Sequence, residues 1–159
     1  MKSFNTISNS TLETINIAKN LAKFLNPGDT VVLTGELGAG KTKFTEGFLS
    51  YYNLEDEISS PTFTIVNEYK SPLSTIYHFD VYRLADIDEF YAIGGDEYFT
   101  SGICIIEWGE LLEPILPINY LKISFSRDTK DEKKRILNLE PHGERLTKIS
   151  ERMLENCEF

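Results

Sequence analysis

Apolar residues recur at helical spacing near the start of the chain. Leu12, Ile15, Ala18, Ala22 and Leu25 are separated by three or four residues, which is the period of one helix face. Ser10-Thr11-Leu12-Glu13 has the pattern of a capping box, and Asn26-Pro27-Gly28 would end the helix. The pattern predicts that an amphipathic helix precedes the first strand.

Short runs of apolar, β-branched and aromatic residues predict the strands. Residues 31–33 and 103–106 are continuous apolar runs typical of buried strands, and residues 62–69 and 75–81 also have strand composition. Only residues 70–74, with Pro72 and two serines, separate the last two segments. A parallel crossover needs a dozen or more residues, so these two strands are predicted to form an antiparallel hairpin.

The rest of the chain completes an α/β pattern without repeats. Residues 86–98 read as short helical turns broken at Gly94-Gly95, and residues 143–155 read as a final helix. Residues 120–126 and 135–139 are predicted edge strands around the charged turn 127–134. We therefore expect one three-layer α/β domain over residues 1–159, with a central mixed sheet flanked by helices.

One segment predicts a ligand. It reads Gly35-Glu36-Leu37-Gly38-Ala39-Gly40-Lys41-Thr42 and fits G-x-x-x-x-G-K-[ST], the phosphate-binding loop. The loop follows the apolar run 31–33 and precedes the predicted helix 41–50, so backbone N–H groups at the helix N-terminus can converge on phosphates. This context predicts a P-loop NTPase-like fold that binds a nucleoside triphosphate.

Each part of the loop has an expected task. Glycines let the backbone approach phosphate oxygens that a Cβ would block. Lys41 would contact the β- and γ-phosphates, and the Thr42 hydroxyl would be a ligand of Mg²⁺. The residues expected to line the nucleotide phosphates are Leu37, Gly38, Ala39, Gly40, Lys41, Thr42 and Lys43.

Turnover also needs a carboxylate at the end of a neighbouring strand. Asp80 ends the predicted strand 75–81, and Glu107 directly follows the run 103–106. We expect both to face the metal, although each could be an ordinary strand-end acid. His78 should share a face with Asp80, either to orient its carboxylate or simply to pack. Trp108 follows Glu107, and the sequence does not decide between packing and a partner contact.

A threonine between the loop helix and the hairpin is a candidate sensor of the γ-phosphate. Ser60-Pro61-Thr62-Phe63-Thr64 lies where P-loop switch enzymes carry such a residue. Thr62 is the first choice. The alternative is that Thr62 and Thr64 are β-formers that alternate with a buried Phe63.

Composition argues against a nucleic-acid surface on this chain. The formal net charge is −9 and the pI is near 4.7, whereas tRNA binding rests on clustered cations. The one basic cluster, Lys133-Lys134-Arg135, adjoins two acids and is interpreted as a solvated strand end. No apolar stretch is long enough to span a bilayer, and Cys104 and Cys157 have no metal or redox spacing. A cytoplasmic chain with two reduced thiols is expected.

Four motifs together resemble the TsaE (YjeE) family over about residues 14–108. They are the phosphate-binding loop, Ser60-Pro61-Thr62-Phe63-Thr64, Tyr77-His78-Phe79-Asp80-Val81-Tyr82-Arg83-Leu84 and Ile106-Glu107-Trp108. The resemblance implies a small ATPase required for threonylcarbamoyladenosine beside the anticodon of certain tRNAs. It also implies that the chain binds ATP and ADP with Mg²⁺, works with TsaB and TsaD, and meets tRNA only through that complex.

The resemblance also implies residue roles. Lys41 and Thr42 would bind phosphate and magnesium, Glu107 would be a magnesium ligand, and Asp80 would support hydrolysis. Thr14 would lie near the nucleotide base, and Arg135 would match a C-terminal position near the nucleotide.

Two other functions fit the phosphate-binding loop. A small-molecule kinase usually brings lid arginines to the developing charge, but this chain has only five arginines and none before Arg83. A nucleotide-gated binding switch with negligible hydrolysis is also consistent, since no glutamine or in-chain arginine finger is recognisable. A partner could complete the site in that case.

Overall fold

The computed structural model describes residues 2–36, 39–58, 65–81 and 84–155. Within these ranges one seven-stranded sheet is flanked by helices. The strands are β1 Phe4–Ser8, β2 Thr30–Gly35, β3 Val66–Lys70, β4 Thr75–Asp80, β5 Ile103–Glu107, β6 Tyr120–Arg127 and β7 Arg135–His142. The α-helices are α1 Thr11–Ala22, α2 Lys41–Ser50, α3 Ile87–Ala92 and α4 Glu144–Glu155, and 3₁₀ helices cover Glu55–Glu57, Gly95–Thr100 and Gly109–Ile115.

The sheet is mixed, as predicted, with the strand order β1-β7-β6-β2-β5-β4-β3. β6, β2, β5 and β4 are parallel neighbours. β3 pairs antiparallel with β4, which confirms the hairpin, and β7 pairs antiparallel with both β6 and β1. The carboxyl ends of the four parallel strands lie side by side, and open α/β sheets bind their ligands outside these ends.

The sequence-based order of the first and last strands was wrong. The chain begins with a strand, β1, rather than with the helix, and β1 pairs with β7 along its whole length. The predicted edge strands β6 and β7 therefore both lie inside the sheet, and the edges are β1 and β3. β3 begins at Val66, and the predicted strand positions 62–64 lie outside the described residues.

Buried side chains form a core on each face of the sheet. Alternation along β5 sends Ile103 and Ile105 into the cluster beneath α1, α2 and α4, and it sends Cys104 and Ile106 into the second cluster. The second cluster includes Phe90 of α3, Phe99 and Leu112, so the shorter helices cover that face. This arrangement gives the expected three layers.

The break predicted in segment 86–98 lies where the glycines are. α3 begins after Asp86, whose side chain accepts a hydrogen bond from the Glu89 N–H, and it ends before Gly94 in the left-handed region at φ +73°. A 3₁₀ helix continues from Gly95. Of the aromatics in this segment and directly after it, Phe90 and Phe99 are buried in the core, whereas Tyr91 is exposed.

Helices α1 and α2 pack closely because α2 carries a glycine at their contact. A Cβ on Gly47 would lie 2.4 Å from the carbonyl oxygen of Ile15, closer than real contacts allow. The α1 N-terminus is fixed by Ser10, whose side chain accepts a hydrogen bond from the Glu13 N–H at 3.1 Å. α1 ends at Ala22 rather than near Leu25, which is nevertheless buried. The close packing places Thr14 beside the start of α2.

Candidate functional site

The phosphate-binding loop leaves the carboxyl end of the buried strand β2 and leads into α2. Gly35 has φ +132°, and a Cβ there would lie 2.4 Å from the Phe125 carbonyl oxygen on β6. Gly40 has φ +114° and directly precedes the first residue of α2. Both positions therefore require glycine. Leu37 and Gly38 lie outside the described residues.

Lys41 is held by backbone oxygens of its own loop. Its Nζ donates to the carbonyl oxygens of Gly35 at 2.6 Å and Glu36 at 3.1 Å. The same Nζ lies 4.1 Å from the ring centroid of Trp108, which is within cation–π range. Trp108, whose role the sequence left open, therefore contacts the loop lysine.

Burial and nearby acids act on Lys41 in opposite directions. Burial lowers the pKa of Lys41, and the negative charges of Glu107, Glu110 and Asp80 oppose that shift. The two acids that were selected from the sequence thus act electrostatically on this ammonium. Glu110 is an additional charge that the motifs did not indicate, because it lies in the 3₁₀ helix that follows β5.

The two predicted carboxylates are neighbours across the sheet. Asp80 on β4 is paired in register with Glu107 on β5, and Leu33 on β2 is paired with Glu107 on its other side. Glu107 is thus one strand from the loop strand, and Asp80 is two strands away. Strands are about 4.8 Å apart, so the structure ranks Glu107 as the nearer acid to the loop.

His78 forms a hydrogen bond with a carboxylate, but its partner is not the one expected. Its Nε2 lies 2.7 Å from Oε2 of Glu107, and both side chains are buried. The sequence had placed His78 with Asp80 because they alternate on one strand. The pairing of His78 with Ile105 in the parallel ladder brings the ring to the neighbouring strand instead.

A cavity of about 490 Å³ adjoins the start of α2, within the range for small-molecule sites. Its lining is Ser10, Thr11, Leu12, Thr14, Gly40, Lys43, Glu132, Lys133 and Arg135. Four of these residues, Thr14, Gly40, Lys43 and Arg135, were expected near the nucleotide from the sequence. Lys133 and Arg135 of the basic cluster, which lies at the start of β7, border this cavity.

Thr14 is held by a residue that the sequence did not suggest. Its Oγ1 lies 2.7 Å from Oγ of Ser8, the last residue of β1, and both residues are buried. Ser8 also donates to the Ser10 carbonyl oxygen at 2.8 Å. The sequence could not reveal this contact because β1 itself was not predicted.

The structure gives fewer contacts for the other site residues that were predicted from the sequence. Ala39 is buried and Thr42 is exposed at the first turn of α2. Lys43 forms an exposed ion pair with Glu46 at 3.2 Å. Thr62 and the rest of residues 60–64 lie outside the described residues.

The donor chemistry at the strand ends fits Mg²⁺. This ion prefers oxygen ligands and usually takes one or two protein side chains together with phosphates and waters. Thr42, Glu107 and Asp80 would supply oxygen donors. In the part of the chain that the structure describes, no group of three or more His, Cys, Asp and Glu side chains forms a complete metal site.

Comparison with known proteins identifies the family. The model of the family described as threonylcarbamoyl adenosine biosynthesis protein TsaE matches residues 8–136. The chain belongs to the TsaE family. It is 46% identical over 122 residues to the Bacillus subtilis tRNA threonylcarbamoyladenosine biosynthesis protein TsaE, covering 76% of each chain. Identity to the Treponema pallidum protein of the same name is 41% over 119 residues, covering 74% of this chain and 87% of that protein.

A solved structure supports the fold. The chain superposes on the crystal structure of Bacillus subtilis YdiB with a TM-score of 0.78 and 34% identity, covering 99% of this chain and 97% of that one. The TsaE match continues beyond Trp108 to residue 136 and so includes Arg135. The family assigns the chain to tRNA threonylcarbamoyladenosine biosynthesis. Among the described residues, no helix is both long and apolar enough to cross a membrane.

Proposed function

We propose that this chain is a magnesium-dependent ATPase that serves threonylcarbamoyladenosine (t⁶A) formation on tRNA together with TsaB and TsaD. The observation that carries the ATPase proposal is the convergence on Lys41. The negative charges of Glu107 and Asp80 act on the loop lysine, and these two acids end the parallel strands β5 and β4, of which β5 is the neighbour of the loop strand. This combination is the one that nucleotide hydrolysis by P-loop enzymes uses.

The proposed role of each side chain follows from its distance to the loop. Lys41 would exchange its bonds to Gly35 and Glu36 for bonds to the β- and γ-phosphates. Thr42 and Glu107 would hold Mg²⁺, which when bound neutralises phosphate charge. Asp80, one strand further from the loop, would orient the attacking water or a water on the ion. Thr62 remains our predicted sensor of the γ-phosphate.

The cavity beside α2 is the proposed site for the rest of the nucleotide. Thr14 and Gly40 line it from α1 and the loop, and Arg135 borders it from β7. The Arg135 guanidinium could stack on the face of an adenine base, and Thr14, whose hydroxyl is fixed by Ser8, lines the same cavity. The proposal therefore places the phosphates at the loop and the base toward Thr14 and Arg135.

Charge supports the division of labour with partners. A chain with net charge −9 lacks the general attraction to phosphates on which tRNA binding rests. We therefore propose that TsaB and TsaD hold the tRNA. ATP hydrolysis by this chain would then reset the complex between transfer cycles.

The proposal is tested by reconstituted t⁶A formation with purified TsaB, TsaD, tRNA and the threonylcarbamoyl donor. With wild-type chain and ATP, we expect several t⁶A products per TsaD molecule. Lys41→Ala should reduce the yield to about one product per TsaD. The matched control is Lys148→Ala, which removes an exposed lysine of α4 that is paired with Glu144 and should leave the yield unchanged.

The alternatives give different results in the same assay. Multiple products with a non-hydrolysable ATP analogue would favour the nucleotide-gated switch. Equal yields with wild type and Lys41→Ala would contradict the proposed role of the loop. Phosphate transfer from ATP to an added small-molecule acceptor would favour the kinase.

A further inference from the structure

His78 is a buried polar residue that no role assigned so far requires. It lies on β4 between Tyr77 and Phe79, and only 3% of its surface is exposed. A polar ring is rarely placed at such a position unless its hydrogen bonds are satisfied. Its partner is therefore informative.

The one hydrogen bond of the His78 ring within the described part of the chain is with Glu107. The 2.7 Å contact joins Nε2 of the ring to Oε2 of the carboxylate. An ionised carboxylate only accepts, so the proton lies on Nε2. The other ring nitrogen, Nδ1, has no hydrogen-bond partner in the described part of the chain. The tautomer with the proton on Nε2 accounts for both observations.

Glu107 needs such a restraint because of its neighbours. It is buried, and the in-register Asp80 on the adjacent strand carries the same charge. Repulsion between the two carboxylates would rotate the Glu107 side chain away from Asp80. A charge-assisted bond from His78 fixes Oε2 and leaves Oε1 as the oxygen available to another ligand.

We propose that His78 is a positioning residue that holds the Glu107 carboxylate in the orientation in which it receives Mg²⁺ or a water on that ion. This inference rests on the proposed function, because it assigns a role to His78 through Glu107. Residues that orient a metal ligand typically contribute 10–100-fold to metal affinity. A histidine that only filled the core would contribute to stability and not to that affinity.

The first test measures ADP affinity by calorimetry with Mg²⁺ and with EDTA. His78→Leu should reduce the gain in ADP affinity that Mg²⁺ gives by about tenfold or more, while affinity in EDTA changes by less than about twofold. His78→Gln, whose amide can donate from the position of Nε2, should recover part of the gain. The matched control is His142→Leu, which removes the other histidine of the chain, stacked on Tyr120, and should change neither affinity.

Coupling to Glu107 separates positioning from packing. In a Glu107→Ala background, the increase in ADP affinity that Mg²⁺ still gives should change by less than about twofold when His78→Leu is added. The carboxylate that His78 orients is already absent there. Fully additive losses would overturn the proposal. So would a His78→Leu chain that keeps the whole wild-type gain.

A measurement on the protein without nucleotide or metal leaves His78 itself unchanged. NMR of ¹⁵N-histidine-labelled wild type should show His78 as the Nε2–H form with a slowly exchanging ring proton. Glu107→Ala should make that proton exchange rapidly, and an unchanged proton would overturn the proposal. If wild type gains no ADP affinity from Mg²⁺, the proposed function itself fails. If wild type gains it and both His78 variants behave as His142→Leu does, only the positioning role fails.

Discussion

Lys41 is placed so that an incoming phosphate must compete with backbone carbonyl oxygens. Its Nζ has two carbonyl acceptors within 3.1 Å and an indole ring at 4.1 Å. Burial lowers the pKa of this lysine, so the environment as a whole disfavours its charge. A phosphate group would give the Lys41 ammonium a fully charged anionic partner, whereas the loop carbonyl oxygens carry only partial negative charges.

The two strand-end acids should affect different steps. Glu107→Ala should weaken Mg²⁺-dependent nucleotide binding by about 10–100-fold, because it removes the carboxylate nearest to the loop strand. Asp80→Ala should lower turnover by about 100-fold with a smaller loss of affinity, since Asp80 is one strand further away. Affinity is measured by calorimetry and turnover by phosphate release.

Glu140→Ala is the control for this pair, because it removes a half-buried acid of β7 and should change neither quantity. Equal and negligible effects of Glu107→Ala and Asp80→Ala in both assays would contradict the assignment.

Residues named by a local motif could be predicted from the sequence, whereas contacts across strands could not. The loop pattern indicated Lys41, and the strand-end rule indicated Glu107 and Asp80. The partner of His78 depends on the register between β4 and β5, which the spacing of either strand does not contain. The Trp108 contact likewise depends on how the chain turns after β5, where Trp108 has φ +63°.

At the scale of elements, the hairpin, the buried core strands and the long helices followed from apolar period and connection length. β1 escaped prediction because its five residues, Phe4–Ser8, include three polar ones and only a short alternation. Its stability comes from pairing with β7 rather than from local preference. Missing it made β7 a predicted edge strand, and β6 was predicted at an edge because the sequence did not reveal its pairing with β2.

The contact between α1 and α2 gives a prediction about stability. Gly47→Ala should lower the free energy of unfolding by about 1–2 kcal/mol, because the clash with the Ile15 backbone outweighs the better helix propensity of alanine. Urea denaturation measures this change. Glu46→Ala, at the adjacent and more exposed position, should stay within about 0.5 kcal/mol of wild type. A Gly47→Ala chain more stable than wild type would contradict the close packing.

At the scale of the whole molecule, charge separates this chain from proteins that hold RNA directly. With 25 acidic and 16 basic side chains, its overall field repels a polyanion. The cations Lys43, Lys133 and Arg135 border the cavity at the loop, which is the proposed nucleotide site. They do not form an extended basic face.

This charge balance predicts that the chain alone binds tRNA poorly. Fluorescence anisotropy at physiological salt should give a Kd weaker than about 10 µM for labelled tRNA, and addition of TsaB and TsaD should bring the chain onto the tRNA. A Kd below about 1 µM for the chain alone, together with binding that weakens steeply as salt is added, would contradict this prediction.

The ATPase proposal is best tested by ATP turnover of wild type and Lys41→Ala, each with Mg²⁺, alone and with purified TsaB and TsaD. We expect weak phosphate release by wild type alone, stimulation by the partners, and loss of both in Lys41→Ala. Tight ATP binding with no phosphate release, even with the partners present, would contradict the ATPase assignment and favour a nucleotide-gated switch.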